Sequence, residues 1–478
     1  MFSWRGTSSI SRLTGCDLSA PQSSILTSKL DFCVLVSFDS SIPALDPSPA
    51  ANLSRSQWRV VSLASLGGSL EYYDFVIYGI FAQYIARQFF PASDPYVSLI
   101  LSFSVLAIGF LARPLGGLVL SGLGDRYGRR PVFLGSLFCM TAATILVGVL
   151  PSYAIWGLAA PLLLVGLRLI QGMCLGGELP GALTYTAEAA PQRSGLACGV
   201  IILCVNGGVL LATLVNLGIQ HALPPADVAS YGWRVAFLLG GLIGCISYLL
   251  RRSLEESPEF LRLHSVATSP VFEVLREHWR SVLTAAGVVA VIGGFNGMLY
   301  GFLPAYLVQS VHYSPSQTAL AMTTALIVSS AGLIVAGWAG DYLPRHLILR
   351  VGAGLLLVAI FPIWSLITAG SEHLVLLLGA LSLMFSVASG IWPSIVATLF
   401  PTRIRFSGIA LSYNLCITIL SGFAPLAASA MMERTGMLAA PAVYIAACTV
   451  LTLISTSAVA RIRPSLVSRS PHKIEAFA

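Results

Sequence analysis

Charged residues are scarce in this sequence of 478 residues, at 10% of the chain against about 25% in soluble domains. Lysine is almost absent and occupies only Lys29 and Lys473. Hydrophobic residues make up 56% of the chain, and its mean hydropathy is +0.82. This composition excludes a soluble globular domain and indicates that a lipid bilayer surrounds most of the chain.

Motifs for nucleotides, metals and disulfides are also missing. Neither lysine stands in the Gly-Lys-Ser/Thr context of a phosphate-binding loop, which excludes an ATP-driven pump built from this chain alone. The cysteines have neither disulfide nor metal spacing, and the histidines fall in or near predicted loops. We therefore predict no enzyme, no cofactor and no metal site.

Long apolar stretches make up the rest of the chain. A helix needs roughly 20 apolar residues to cross the hydrocarbon core, and its backbone satisfies its own hydrogen bonds there. About twelve such stretches lie between positions 60 and 460. We predict an all-α integral membrane protein with twelve transmembrane helices.

A charged interruption divides these stretches into two sets of six. The predicted segments are a disordered cytoplasmic leader at 1–57, a six-helix half at 58–250, a cytoplasmic loop at 251–280, a second six-helix half at 281–462 and a cytoplasmic tail at 463–478. The leader is equally compatible with a translation start placed too far upstream.

Two internal sequence repeats indicate that the halves are pseudo-symmetric copies. Gly124 and Asp125 recur as Gly340 and Asp341 at a spacing of 216, and the segment at 191–195 recurs at 401–408 at a spacing of 210. Duplication of this kind is the usual build of secondary transporters.

Basic residues are distributed unevenly between the predicted loops. Outside the spans, only Arg87, Arg234 and Arg434 fall on the side opposite the termini. The positive-inside rule then places both termini in the cytoplasm. Cationic loops facing an anionic leaflet also account for the net charge of +7 without a nucleic-acid partner.

The loop after the second span resembles the signature of the major facilitator superfamily, Gly-x-x-x-Asp-Arg-x-Gly-Arg-Arg. The match uses Asp125, Arg126, Gly128, Arg129 and Arg130, with Ser121 in place of the leading glycine, and the second copy keeps Gly337 and Asp341. Strings at 70–75, 113–117, 168–172, 232–234, 255–260 and 412–414 resemble the metabolite:proton symporter family within it. The resemblance implies the major facilitator fold, a bacterial inner membrane, and a zwitterion such as proline or betaine, or an organic acid, as substrate.

Two carboxylates in the first span are the main candidates for proton coupling. Glu71 and Asp74 lie one helical turn apart, about half way through the span, where an ionised side chain costs several kcal/mol unless it is paired or hydrated. The alternative is a structural pair with Arg168 or a hydroxyl. Arg168 lies within the fourth span, and the resemblance ties it to proton coupling, against a permanent ion pair.

Glu178, about three turns beyond Arg168, is a further proton-coupling candidate, or else part of a packing surface with Gly176 and Gly177. The loop residues Asp125, Arg126, Gly128, Arg129 and Arg130, with Gly337 and Asp341, read most simply as solvated topology determinants. The resemblance adds a conformational latch, in which Asp125 meets the positive end of a helix.

Polar and aromatic residues predicted near the midplane are candidates for a substrate cavity, although aromatic residues at span ends usually form an interfacial belt. The candidates are Tyr72, Tyr73, Tyr78, Asn206, Asn296, Tyr300, Trp392, Tyr413 and Asn414. No arginine other than Arg168 is expected in the core, which favours a zwitterion over an anion.

The sequence therefore predicts a secondary active transporter that couples uptake of a small polar metabolite to protons by alternating access. Its predicted partners are the substrate, the proton and the bilayer, with no nucleic acid and no nucleotide. An antiporter, exporter or facilitator of the same fold remains open, as does a non-transporting membrane sensor.

Overall fold

A computed structural model describes residues 52–91, 95–263 and 267–468. The predicted leader therefore lies outside the described residues up to position 51, and the predicted tail lies outside them from position 469 onward. Within these ranges the chain is helical and contains no β-strand.

Six long helices form the first half of the chain. They are α1 (Arg55–Phe89), α2 (Pro95–Tyr127), α3 (Arg129–Val149), α4 (Ala159–Ala189), α5 (Ser194–Ala222) and α6 (Trp233–Arg251). Short helical segments connect them at Tyr153–Trp156, Pro191–Arg193, Pro225–Asp227 and Val228–Gly232.

The second half repeats this arrangement after a connection that contains two short helices, Pro258–Leu261 and Pro270–Glu277. Its long helices are α7 (Trp279–Gln309), α8 (Pro315–Ala339), α9 (Arg345–Thr368), α10 (Leu374–Leu399), α11 (Thr402–Thr435) and α12 (Pro441–Ser468). Two of them contain π-helical segments, at Gly297–Phe302 in α7 and at Ile417–Ser421 in α11.

Eleven helices in the described residues, α2 to α12, are long and apolar enough to cross a membrane. The remaining long helix, α1, spans 35 residues, packs along α5 and carries the polar residues Glu71 and Asp74. Counting α1 gives the predicted twelve helices, and the all-α membrane fold is confirmed.

Small residues bring helices of the same half close together. A Cβ atom added at Gly172 of α4 would lie 2.0 Å from the carbonyl oxygen of Gly109 in α2. Close backbone approach of this kind is typical of membrane helices, where packing rather than the hydrophobic effect drives association.

The two halves meet mainly along α2 with α11 and along α5 with α8, and α4 also contacts α11. On one side of the bundle lie the connections that hold Arg129, Arg193, Arg345 and Arg403, and we call this side the arginine-rich face. The connections at 150–158, 310–314 and 436–440 lie on the other side, the opposite face.

Candidate functional site

Asp74 is the centre of a buried polar cluster between α1, α3 and α4. Its carboxylate lies 2.9 Å from Nη1 of Arg168 and accepts hydrogen bonds from Thr144 Oγ1 and Gln171 Nε2, each at 2.9 Å. The Arg168 guanidinium also lies 4.1 Å from the ring centroid of Tyr78. Asp74 thus has three donors, as a charged side chain inside a membrane bundle requires.

Glu71 lies in the opposite kind of environment one turn away. Its side chain is fully buried, yet neither carboxyl oxygen has a hydrogen-bond partner among the described residues. A buried carboxyl without donors is stable as the neutral acid. A cavity of about 20 Å³ is lined by Glu71, Asp74, Arg168 and Gln171, and this volume holds about one water molecule.

Glu178 pairs with an arginine that the sequence analysis assigned to a loop. Arg251 is the last residue of α6, is fully buried, and places Nη1 2.5 Å from Glu178 Oε1. Its other nitrogens donate to the carbonyl oxygens of Leu63 and Ala64 at 2.6 and 2.5 Å, and Ser136 donates to Glu178 Oε2 at 2.8 Å. The predicted loop at 251–280 therefore begins after Arg251.

Arg113 contradicts the expectation that Arg168 is alone in the core. Because α2 continues to Tyr127, Arg113 lies roughly 21 Å from the end of the helix, and its side chain is 2% exposed. It contacts the side chain of Tyr72 and interacts with the charge of Glu71. Its guanidinium carbon lies 5.9 Å from the ring centroid of Tyr413 in the other half of the chain.

Aromatic residues of the second half complete this central region. Trp392 of α10 and Tyr413 of α11 are stacked, with ring centroids 5.4 Å apart and an interplanar angle of 4°. Tyr72 also contacts Tyr413, and Tyr300 of α7 lies near Tyr72 with 42% of its surface exposed. The structure thus brings together four of the predicted cavity residues, Tyr72, Tyr300, Trp392 and Tyr413, around Arg113.

Other predicted cavity residues have structural partners elsewhere. Tyr73 points into the first half, where its hydroxyl donates to Ala236 at 2.7 Å, and the hydroxyl of Tyr78 donates to Ser102 at 3.1 Å. Asn414 donates to the carbonyl oxygen of Gly176 at 2.7 Å and so ties α11 to α4.

Asn206 donates to Ser330 at 2.9 Å and joins α5 to α8 across the two halves. Asn296 is half-buried at the start of the π-helical segment of α7.

Asp125 lies at the boundary between the halves on the arginine-rich face. Its fully buried carboxylate accepts hydrogen bonds from the backbone N–H groups of Phe406 and Ser407, at 3.3 and 2.8 Å. These two residues lie in the first turn of the α-helical part of α11, which begins at Arg405 after a short 3-10 segment. A carboxylate is stabilised at a helix N-terminus because unpaired N–H groups point toward it. Arg129 lies 3.1 Å from the same carboxylate.

The second copy makes the mirrored contact. Asp341 accepts hydrogen bonds from the N–H groups of Gly195 and Leu196, at 2.8 and 3.0 Å, at the start of α5. Arg345 lies 3.4 Å from Asp341. Burial raises the pKa of Asp341, against the lowering effect of these N–H groups and of the arginine. Gly337 packs against Gly195, since a Cβ at Gly337 would lie 2.6 Å from the Gly195 carbonyl oxygen.

A charge network that the sequence analysis missed surrounds these contacts. Glu188, at the end of α4, lies 3.3 Å from Arg129 and 3.3 Å from Arg405 of α11. Arg405 also pairs with Glu259 at 2.5 Å, and Ser257 donates to Glu188 at 2.5 Å. The arginine-rich face is therefore closed by ion pairs that join both halves and the connection between them.

The remaining loop residues have different surroundings. Gly128 begins α3 with a φ angle of 108°, a conformation that glycine adopts without strain. Arg130 is exposed and donates to the carbonyl oxygen of Arg252 at 2.9 Å. Arg126 is exposed and stacks on its neighbour Tyr127, so it does not enter the network among the described residues.

Charged residues buried in two pseudo-symmetric helical halves, with matched contacts closing one face, define a secondary membrane transporter. The model of the Major Facilitator Superfamily matches residues 64–425. The chain belongs to the Major Facilitator Superfamily, whose members are transporters rather than enzymes.

Curated relatives and solved structures agree with this assignment. A putative proline/betaine transporter of Staphylococcus haemolyticus is 32% identical, over 83% of this chain and 86% of the relative. The proline/betaine transporter of Escherichia coli (strain K12) is 31% identical, over 83% and 82% of the two chains.

The proton:xylose symporter XylE bound to 6-bromo-6-deoxy-D-glucose has the same fold, with a TM-score of 0.69 at 16% identity over 85% of this chain and 96% of that chain. Its inward-open conformation gives a TM-score of 0.56 at 16% identity over 86% and 99%.

Proposed function

We propose that this chain is a proton-coupled symporter that carries a small zwitterion, of the proline or betaine type, into the cell. The observation that carries this proposal is the pair of carboxyls on α1. Asp74 has three donors and Glu71 has none, although both line one cavity. Neighbouring carboxyls in such different environments are a recurring arrangement in proton transfer.

The proposed mechanism uses the charges of α1 and α4. We propose that Glu71 carries the proton while Asp74 forms its ion pair with Arg168. Transfer of a proton between the carboxyls through the cavity would release Arg168 from its ion pair. Because an unpaired charge inside the bundle is costly, proton movement then alters how α1 packs against α4.

Opening of the arginine-rich face is the second part of the mechanism. Asp125 and Asp341 hold the starts of α11 and α5, and the Glu188 network reinforces this closure. We propose that rocking of the halves breaks these contacts together and admits the substrate to that side. Substrate and proton then leave on the same side, and the halves close again.

Orientation follows from the arginines. The positive-inside rule assigns the arginine-rich face to the cytoplasm, which places both termini there. The bacterial relatives support a cytoplasmic membrane as the location. The partners that we propose are the substrate, the proton and the bilayer, and the mechanism uses neither a cofactor nor a nucleotide.

Uptake into proteoliposomes tests this proposal. Purified protein would be reconstituted, and uptake of labelled proline and betaine measured with and without an inward proton gradient. Asp74→Asn and Glu71→Gln would be compared with Glu277→Gln, which removes an exposed carboxylate. We expect accumulation that an uncoupler abolishes, that both α1 variants lose, and that the control keeps.

Accumulation that is indifferent to the uncoupler and to both α1 variants would overturn proton coupling. Proton release from the vesicles during uptake would identify an antiporter instead. Counterflow without a gradient separates binding from coupling, and we expect Glu71→Gln to retain it.

A further inference from the structure

Arg113 is the buried cation that the proposed mechanism leaves without an anion. Its Nε and Nη2 atoms have no hydrogen-bond partner in the described part of the chain, and no carboxylate there lies within 4.0 Å of it. A guanidinium inside a membrane bundle is costly unless a counter-charge or hydrogen-bond acceptors meet it. The arrangement around Arg113 therefore calls for an anionic group.

The protein offers one candidate anion nearby, which is Glu71. Charged groups face Glu71 from three helices besides its own, namely Arg113 from α2, Glu178 from α4 and Arg251 from α6, while Asp74 lies on α1 itself. Arg251 and Glu178 already pair with each other at 2.5 Å. Arg113 is consequently the cation that remains for Glu71 when Glu71 loses its proton.

The surroundings of Arg113 on the other side are aromatic. Tyr413 lies 5.9 Å from its guanidinium carbon, and Trp392 stacks against Tyr413. Tyr72 contacts both Arg113 and Tyr413. Aromatic faces attract cations, including quaternary ammonium groups. One end of this region thus suits a carboxylate, and the other end suits a cation.

We propose that Arg113 binds the carboxylate of the transported zwitterion, that the Trp392 and Tyr413 rings receive its cationic end, and that ionised Glu71 competes with the substrate for Arg113. One guanidinium neutralises one carboxylate. The substrate therefore binds tightly when Glu71 is protonated, and loss of that proton expels it. This inference rests on the proposed function and names the residue that links substrate binding to the proton.

Equilibrium binding tests the inference without any gradient. The purified full-length chain in detergent would be titrated with labelled betaine at pH 6 and pH 8, with unlabelled proline and choline as competitors. Choline carries the quaternary ammonium group but no carboxylate. We expect betaine to bind more tightly at pH 6, proline to compete, and choline to compete at least about tenfold more weakly, a difference of about 1.4 kcal/mol.

Substitutions at the two residues give opposite results if the inference is correct. Arg113→Gln should weaken betaine binding at least about tenfold at both pH values. Glu71→Gln should bind betaine at least as well as the unmodified chain and should lose the pH dependence. Arg276→Gln, which removes an exposed arginine from the short helix Pro270–Glu277, is the matched control.

Misfolding is checked independently. Arg113→Lys keeps a positive charge at the site, so it should bind betaine better than Arg113→Gln does, and both should elute as the unmodified chain does in size exclusion. Unchanged betaine affinity in Arg113→Gln, or pH dependence that persists in Glu71→Gln, would overturn the inference. So would an unmodified chain that binds choline as tightly as betaine, or that binds none of the three compounds.

The inference and the proposed function fail in different ways. If betaine binds through Arg113 but does not accumulate under a proton gradient, proton-driven uptake is wrong while the binding site stands. If betaine accumulates with protons and Arg113→Gln binds it normally, the binding site is wrong while symport stands.

Discussion

Glu178 and Arg251 form an ion pair with 2.5 Å between Oε1 and Nη1, deep between α4 and α6, and the pair occupies space that a side chain on α1 would otherwise fill. Position 67 of α1 is glycine, and a Cβ atom there would lie 2.1 Å from Glu178 Oε1 and 2.3 Å from Arg251 Nη2. The absence of a side chain at Gly67 is therefore a requirement for the pair.

Substitution of this glycine should displace the pair. Gly67→Ala is expected to lower the midpoint of thermal unfolding in detergent and to reduce transport, because the methyl group meets charged atoms held by backbone carbonyls. The control is Gly79→Ala in the same helix, where nothing lies within 4 Å of the added Cβ. Equal thermal midpoints for the two variants would show that the site accommodates a methyl group.

A double-mutant comparison tests the energetic role of the same pair. Glu178→Gln and Arg251→Gln each leave a buried charge unpaired, which typically costs about 3–5 kcal/mol. Replacing both residues leaves neutral amides and should cost less than either single change. Unfolding midpoints of the three variants check this order, and a double variant that is less stable than both single variants would contradict it.

The matched contacts of Asp125 and Asp341 predict a change in thiol reactivity. Cys198 is fully buried in the first turns of α5, close to Asp341. Asp341→Asn removes a charge at a helix N-terminus, worth about 1 kcal/mol, and so should raise the population open at the arginine-rich face about fivefold. Alkylation of Cys198 by N-ethylmaleimide, followed by mass spectrometry, should accelerate accordingly.

Asp125→Asn should have the same effect on Cys198, because both aspartates close one face. Cys448 in α12 is a reference thiol in the second half and is 4% exposed. The rate of its alkylation by N-ethylmaleimide should not change. Faster labelling at both cysteines would indicate general loosening of the bundle and would contradict a specific latch.

The sequence was sufficient to predict the helices and the position of the carboxyls on α1. Apolar stretches of membrane-spanning length, together with the motif repeated at Asp125 and Asp341, predicted two pseudo-symmetric halves. The structure adds why both repeats occur, since each aspartate accepts a hydrogen bond from the helix that begins within the other repeated segment, at Ser407 and at Gly195. The charges at 71 and 74 predicted a polar cluster because intramembrane charges need partners.

A pair with Arg168 or with a hydroxyl was one of the two predicted interpretations of these carboxylates, and the structure pairs Asp74 with Arg168 and with the Thr144 hydroxyl. Thr144 is uncharged and carries no periodic signal, and Gln171 lies in the string at 168–172. Only the packing of α3 and α4 shows that these two side chains reach Asp74. Arg113 is an arginine within an apolar stretch and lies in the string at 113–117, but its depth in the bundle follows only from the continuation of α2 to Tyr127. Tyr72 and Tyr73 were both predicted near the midplane. Only the orientation of α1 about its own axis, which depends on all of its neighbours, shows that Tyr72 contacts Tyr413 while Tyr73 points into the first half.

A glycine with a positive φ angle lies immediately before α3. Gly128 has a φ angle of 108°, and a Cβ atom there would lie 2.4 Å from Glu256 Oε2. That carboxylate accepts hydrogen bonds from the N–H groups of Arg129 and Arg130, both at 3.1 Å, and so holds the connection between the halves against α3. Gly128→Ala should strain the backbone and push Glu256 away.

Comparison with Gly157→Ala separates these two effects. Gly157 also has a positive φ, 55°, but nothing lies within 4 Å of an added Cβ, so this variant suffers backbone strain alone, about 1–2 kcal/mol. Gly128→Ala should therefore unfold at a lower temperature in detergent than Gly157→Ala and should label faster at Cys198. If both variants lose the same stability and Cys198 labels at the unmodified rate, Glu256 does not hold the arginine-rich face closed.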